Sequence, residues 1–444
     1  MYGFEDKLLS ILISLMLGVQ AYVIRRSVGT FLHPAALFSI IWFFYTIIPL
    51  VMLFDVPINA LSVFYIFICA TAFYVSSIPF NWRKAYELNK NNKPNVQSNF
   101  IGKFMFSCLF MSSVLSLIFS TLTMVINGWR IEEIFTNLLF TSGRFAVLRG
   151  NEGMNYGLIG ILGIFFTYLS ASLGGLISHF EKKAYRTIVF SIISFLPAVY
   201  AMVIQSSKLI LFVAASFYIG ALLLGKVFSS EKTILTNRNL SKILISLLAV
   251  SPFIILSFIS REHRIDITDL QILATSIKYD LRSYLFGQIY AFSDFFSYYL
   301  GMYSQSMFLD DYGNYGNYTF ASLFQMFGYD KNFPPGLYLE TGYYMDQFET
   351  NIFTIFRGLI YDFGGAGTIL FFLIFGFILH LNFFNLLSKR KSWLSAVIFI
   401  VTVVFILMSY LLSAFMARYA FLNAFAMWTI LLVNDFIRRR PIKL

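Results

Sequence analysis

Eleven uninterrupted apolar runs follow one another along the chain: Leu8–Ile24, Leu32–Phe54, Ala60–Pro79, Phe104–Ile126, Gly157–Ile177, Thr187–Ile204, Leu209–Leu224, Ile243–Ile259, Gly364–Leu387, Leu394–Leu412 and Tyr419–Phe436. Each approaches the roughly 20 residues needed to cross a hydrocarbon core about 30 Å thick. Backbone polar groups have no water to pair with in lipid, so each run is predicted to be an α-helix. The pattern is that of an all-α polytopic membrane protein with about 11 transmembrane helices. The first run does not read as a cleaved leader. Glu5-Asp6-Lys7 stands where a positive n-region would be, and no small-residue cleavage site follows.

Composition narrows the class further. Hydrophobic residues make up 58% of the 444 positions and charged residues only 12%. So few charges cannot cover a water-facing surface, which excludes a set of soluble domains. The 53 Phe and 27 Tyr exclude a disordered or fibrous chain. Cys69 and Cys108 both lie inside apolar runs, so neither a disulfide framework nor a zinc site is expected.

Charge sets the expected orientation. Alternate connections carry Arg25-Arg26, Arg83 to Lys103, Lys182 to Arg186, Lys226 to Lys242, Lys389 to Lys391 and Arg438 to Lys443. They hold 21 of the 33 basic residues but only four acids, Glu87, Glu181, Glu231 and Asp435. The positive-inside rule places this set in the cytoplasm, so the N-terminus is expected outside and the C-terminus inside. The net charge of +11 is mostly this bias, and it points to anionic lipid headgroups rather than nucleic acid. The chain divides accordingly into an N-terminal set of spans (1–259, with a smaller outer loop at 127–156), a large outer loop (260–363) and a C-terminal set with a basic tail (364–444). Long connections without regular structure are usually functional, so function is expected on the outer face.

No Asp, Glu, Lys or Arg falls in the middle of a predicted span, unlike ion-coupled pumps and transporters. His380 is the one titratable exception, and it reads as a core or interface histidine. In the large loop, Leu270, Ile277, Leu281, Leu285, Phe292 and Phe295 recur at helical spacing, which predicts an amphipathic helix within Ile265–Tyr299. From Gly301 to Phe348 the loop is dense in Tyr and Phe, with turn signals at Gly313-Asn314, Gly316-Asn317 and Pro334-Pro335-Gly336. Such rings suit both sugar contact and an interfacial aromatic belt, and the sequence leaves the two open.

Basic residues on the outer side run against the orientation rule. Arg130, Arg144, Arg149, Lys208, Arg261, Arg264, Lys278, Arg282, Lys331, Arg357 and Arg418 lie there, several at span ends. As a set they predict an anion site at headgroup depth, suited to a phosphate or diphosphate. His263, between Glu262 and Arg264, is a candidate base. No Walker motif or metal-ligand cluster is present, and no cofactor is expected.

Glu349-Thr350-Asn351-Ile352-Phe353-Thr354-Ile355-Phe356-Arg357, then Tyr361-Asp362-Phe363-Gly364-Gly365-Ala366-Gly367 and an apolar span, resembles the O-antigen (oligosaccharide repeat unit) polymerases of bacterial polysaccharide assembly. Gln205-Ser206-Ser207-Lys208-Leu209 is similar to the same family and to the O-antigen ligases, which have Ser-Arg there. The layout of spans with one late outer loop also resembles them. The resemblance implies a metal-independent glycosyltransferase of the GT-C type in the bacterial cytoplasmic (inner) membrane. Its substrate would be an undecaprenyl-diphosphate-linked oligosaccharide, with a flippase and a chain-length regulator of the same pathway as partners. Thr350 stands where the ligases have histidine. Fixed cations stabilise the charge that develops on a leaving diphosphate, and an acceptor hydroxyl must give its proton to a carboxylate or imidazole. The candidates are Lys208, Arg282 and Arg357, with Arg144 and Arg149, for the diphosphate, and Glu349, His263 or Asp294 for the acceptor. A lipid-linked oligosaccharide flippase and an O-antigen ligase are the alternatives.

Overall fold

The structure, a computed structural model, describes residues 3–92, 102–136, 141–145, 157–234, 255, 270–302, 308, 313–329, 338–389 and 392–439. Its elements in chain order are α1 (Phe4–Val28), α2 (Pro34–Met52), α3 (Ala60–Val75), α4 (Trp82–Asn92), α5 (Lys103–Ile126), α6 (Ile131–Thr136), α7 (Gly157–Phe180), α8 (Ala184–Gln205) and α9 (Lys208–Phe228). There follow α10 (Leu270–Tyr299), α11 (Asn317–Met326), a hairpin of β1 (Gly342–Tyr344) and β2 (Phe348–Thr350), α12 (Ile355–Ser388), α13 (Trp393–Met408), a 3-10 turn (Ala414–Met416) and α14 (Arg418–Arg439). Among the described residues, α1, α2, α5, α7, α8, α9, α12 and α14 are long and apolar enough to cross a membrane, and α3 and α13 are shorter apolar helices. This is the architecture of a helical multi-pass membrane protein. Apart from Ile255, the run Ile243–Ile259 lies outside the described residues.

Local chemistry sets the helix ends. Gly29 closes α1 in the left-handed region (φ 90°) and its N–H bonds the Arg25 carbonyl, while Arg25 and Arg26 complement the negative end of the helix. Pro34 opens α2 at a position whose missing N–H costs nothing. The Asn59 side chain accepts from Leu61 N at 2.9 Å and caps α3.

The chain forms two compact units. One comprises Met1–Ala85, Ala274–Phe384 and Phe405–Arg418, and the other Tyr86–Leu273, Asn385–Val404 and Tyr419–Leu444. In the second unit, α5, α7, α8 and α9 are held by small and hydroxylated residues. Ser112, Ser116, Ser120 and Thr123 form a buried stripe on α5, and Ser116 hydrogen-bonds Thr167 of α7 at 2.6 Å. Ser170 donates to the Ser194 carbonyl of α8, and Asn423 of α14 donates to Ser172. Lipid tails are as apolar as leucine, so close backbone approach and interhelical hydrogen bonds hold such helices together. Gly175 shows why small residues are needed: a Cβ there would collide with the Tyr218 backbone of α9.

In the first unit, one end of the bundle gathers the start of α1, the end of α2, the start of α3 and the second half of α10. The buried Lys7 ammonium donates to the Leu53 and Val56 carbonyls at 2.8 and 2.7 Å and to the Tyr290 hydroxyl at 2.9 Å. Ser293 and Ser297 of α10 bond Asn59. Nearer the other end, His380 Nδ1 donates to the Gly376 carbonyl, and its ring stacks on that of His33 with centroids 5.0 Å apart.

Several expectations shift in detail. The helix predicted within Ile265–Tyr299 is present as α10, but only its first half is amphipathic. From Gly287 to Ser297 it is enclosed on nearly every side, with Asp294 half-buried. The segment before Gly364 is not irregular loop. Residues Ile355–Phe363 are helical and form the first part of α12, which breaks at Gly364 (φ 71°, ψ 174°) before continuing as the long apolar helix. Only glycine reaches that backbone conformation readily, so the break is written into Gly364 itself.

Candidate functional site

The β1–β2 hairpin is antiparallel, with Tyr343 opposite Glu349 and Tyr344 opposite Phe348. Alternation across the strands puts Tyr344, Phe348 and Thr350 on one face and Tyr343 and Glu349 on the other. The first face is buried against α10: Tyr290 lies 5.9 Å from both Tyr344 and Phe348, ring to ring. The second face is exposed, and there Glu349, Asp280 and Asp346 act together on the Tyr279 hydroxyl of α10. Burial first, then those carboxylates, raise the Tyr279 pKa. Thr350, at the position where the ligases carry histidine, is buried and accepts from Ile352 N.

Asp294 sits where the hairpin meets the helix. The Tyr344 hydroxyl donates to its Oδ2 at 2.8 Å. Burial outweighs that hydrogen bond and pushes the carboxyl from 3.8 up to about 6. A carboxyl more basic folded than unfolded takes up a proton on folding, so its contribution to stability is lost as pH rises through about 6. Thermal unfolding between pH 4 and 7 is expected to show this as a falling melting temperature near pH 6, and Asp294→Asn is expected to flatten it. An unchanged profile in Asp294→Asn would assign the transition to another group.

Arg357, in the first turn of α12, is 1% exposed. Its Nη2 donates to Glu340 Oε1 at 2.8 Å and to the Tyr361 hydroxyl at 3.0 Å. Five rings surround the guanidinium: Tyr338 at 3.9 Å and Phe353 at 4.1 Å to the centroid, with Phe295, Phe308 and Tyr361 at 5.1 to 5.2 Å. Its Nε and Nη1 meet no acceptor among the described residues. Arg357 is thus a charge-paired cation inside an aromatic cage. Glu340 and the cage residues are functional candidates that sequence reasoning did not single out. Part of their signal was the spacing of Arg357 and Tyr361, one turn apart on α12, with Phe353 just before the helix; Glu340 had none.

The second unit contains a different feature, the corner between α8 and α9. Ser206 adopts a left-handed conformation (φ 47°, ψ 38°) that a non-glycine residue holds only at a cost of about 1–3 kcal/mol. Its hydroxyl is buried, at 2% exposure of the residue, and has no partner among the described residues. Ser207 is the N-cap of α9 but its side chain makes no capping hydrogen bond, and Lys208 is the first helical residue, half-buried. The corner therefore brings together the positive end of a 21-residue helix, an ammonium and a buried hydroxyl. Such groups are of the kind that attract an anion.

The remaining sequence candidates divide as follows. Arg282 is half-buried on the first half of α10, and Lys278 is exposed there. Arg144 is exposed beside Phe145, which packs in a small core with Met124, Trp129, Ile134 and Ile204. Arg130 is exposed, and Arg418 donates to Gln325 at 3.1 Å. Arg149, Arg261, His263, Arg264 and Lys331 lie outside the described residues. Arg282, Arg357, Glu349 and Asp294 belong to the first unit, and Lys208 and Arg144 to the second. Among the described residues no group of His, Cys, Asp and Glu is arranged to hold a metal ion.

Comparison with protein-family models, curated proteins and solved structures returns no match to this chain.

Proposed function

We propose that the protein polymerises undecaprenyl-diphosphate-linked oligosaccharide repeat units into a surface polysaccharide, O-antigen or capsule, at the outer face of a bacterial cytoplasmic membrane. The proposal includes about 11 spans of GT-C type, with the N-terminus outside and the C-terminus in the cytoplasm. The observation that carries it is the α8–α9 corner. The Gln205-Ser206-Ser207-Lys208 segment, where the chain resembles the polymerases, folds into a strained turn with an uncapped helix start and a lysine beside it. Those are the groups that a leaving diphosphate requires.

In the proposed reaction the bond between the anomeric carbon and the diphosphate oxygen breaks, and the lipid diphosphate departs with the negative charge. Lys208 and the start of α9 take up that charge, with Arg144 and Arg149 contributing. The acceptor sugar hydroxyl forms the new bond to the anomeric carbon and gives its proton to a carboxylate or imidazole, for which Glu349, Asp294 and His263 are the candidates carried from the sequence. Asp294 suits this role because its raised pKa of about 6 leaves a carboxylate of increased basicity near neutral pH. Arg357, already balanced by Glu340, holds the start of α12 and the cage in place rather than standing open to solvent. No metal or cofactor is part of the proposal.

The surface-glycan ladder of a strain lacking this gene, with and without the gene restored, tests the reading. A single repeat unit on the lipid core, or accumulated single lipid-linked units, is the expected result. Full-length polymer left on its lipid carrier would make the protein a ligase, and repeat units trapped on the cytoplasmic side would make it a flippase.

A further inference from the structure

Gly287, Tyr290 and Asp294 recur three and four residues apart on α10, so they line one side of the helix. The β1–β2 hairpin lies on that side. A Cβ at Gly287 would collide with the Thr350 side chain of β2, and the hairpin comes that close because position 287 has no side chain. One turn on, Tyr290 meets the rings of Tyr344 and Phe348, each at 5.9 Å, and those two stack on each other at 4.8 Å and 19°. A further turn on, the Tyr344 hydroxyl donates to Asp294 Oδ2 at 2.8 Å. The Tyr344 ring reaches that point by lying over Gly342, where a Cβ would meet its hydroxyl and ring edge.

The opening in this part of α10 falls at the carboxyl. From Gly287 to Ser297 every residue is buried except Asp294, which is half-buried. The Tyr344 hydroxyl donates to the carboxylate, so the bond favours the ionised form and opposes the burial that favours the neutral one. The other titratable groups on the elements packed here have their own contacts. Lys7 of α1, on which Asp55 acts, donates to the Tyr290 hydroxyl at 2.9 Å, and Tyr290 donates to the Leu53 carbonyl at 2.9 Å. Tyr298, one turn beyond Asp294, packs its ring 5.4 Å from Phe308. Tyr343 and Glu349 stand on the opposite face of the hairpin.

We propose that Tyr344 is the positioning residue of the acceptor base: it fixes the Asp294 carboxylate through Oδ2, which leaves Oδ1 to receive the proton of the acceptor hydroxyl. The hairpin docked on α10 carries it, and Gly287 and Gly342 are the two positions that let it dock. This role rests on Asp294 accepting the proton in the proposed reaction. Tyr344 acts through the carboxylate, whose orientation and basicity it sets.

Two pH profiles test this on the full-length protein. One is polymer formation in liposomes, with the lipid-linked units accumulated by the strain lacking the gene as the probe. The other is the melting temperature in detergent. Tyr344→Phe removes the donor to the carboxylate. The acid limb of polymer formation and the fall in melting temperature are both expected to move to higher pH by about one unit, with the rate on the alkaline side retained. Gly342→Ala keeps the hydroxyl but displaces it, and is expected to shift both profiles the same way; it supplies the comparison should Tyr344→Phe fail to fold. Tyr343→Phe, exposed on the other face of the same strand, is expected to move neither. Wild-type profiles in Tyr344→Phe, with polymer lost in Asp294→Asn, would overturn the role of Tyr344 and keep Asp294 as the base. Normal polymer formation by Asp294→Asn would remove Asp294 from the reaction, and the role of Tyr344 with it. A wild-type protein that forms no polymer would fail the polymerase reading itself, and the melting profiles then decide whether Tyr344 governs Asp294.

Discussion

Arg357→Ala is expected to lower stability by roughly 3–5 kcal/mol, the usual cost of removing one partner of a buried ion pair. Glu340, 15% exposed and 2.8 Å from the guanidinium, would keep its charge with nothing to balance it. The five rings would lose the cation that fills the space between them. Arg357→Lys restores the charge but not the planar group that lies between Tyr338 and Phe353, so it is expected to recover only part of the loss. Pairing Arg357→Met with Glu340→Gln removes both charges at once and is expected to recover more than Arg357→Lys. Thermal unfolding in detergent reads these effects as shifts on the order of 10 °C for Arg357→Ala. If Arg357→Ala melts like wild type, the cage is not holding the fold, and the two unpaired donors Nε and Nη1 become ligand groups instead.

Lys208→Gln is expected to lower polymer formation about 10²–10³-fold, as when one donor to a developing anion is removed. The side chain is only half-buried at the start of α9, so the protein is expected to remain folded, with a stability change within about 0.5 kcal/mol. Lys208→Arg keeps the charge and is expected to retain most of the activity. Polymer yield per folded protein, from ladder intensity and membrane protein level in cells carrying each variant, measures this. Equal loss in Lys208→Gln and Lys208→Arg with normal protein level would mean that shape rather than charge matters at the corner. No loss in either would move the diphosphate site away from α9.

The apolar runs were legible because lipid imposes a simple demand: about 20 apolar residues, all backbone groups bonded within the helix. The hydrophobic stripe of α10 was legible for the same reason, since Leu270 to Phe296 recur at helical spacing. That spacing did not reveal that the second half of α10 is enclosed. Burial on the polar side of a helix depends on what packs there, and Lys7, Asn59 and the β1–β2 hairpin come from distant parts of the chain. The hairpin itself is three residues a side, too short for alternation to stand out from the aromatic run around it.

The candidate site was legible as a list of charges and not as an arrangement. The sequence by itself determined the solvent of the protein, the helical character of its runs and the surplus of cations in the segments between spans. Only the tertiary structure decided which cation is enclosed and which is not. Arg357 and Lys208 look alike as basic residues at span ends, yet one is buried among five rings beside Glu340 and the other is half-buried as the first residue of α9. A charge in a low-dielectric interior survives only with a partner, and the partner, 17 residues away, is chosen by the fold of the intervening chain. The strained Ser206 likewise has no signature in its own residue type. Its left-handed backbone is imposed by how α8 and α9 must turn to pack, and that is a property of the bundle.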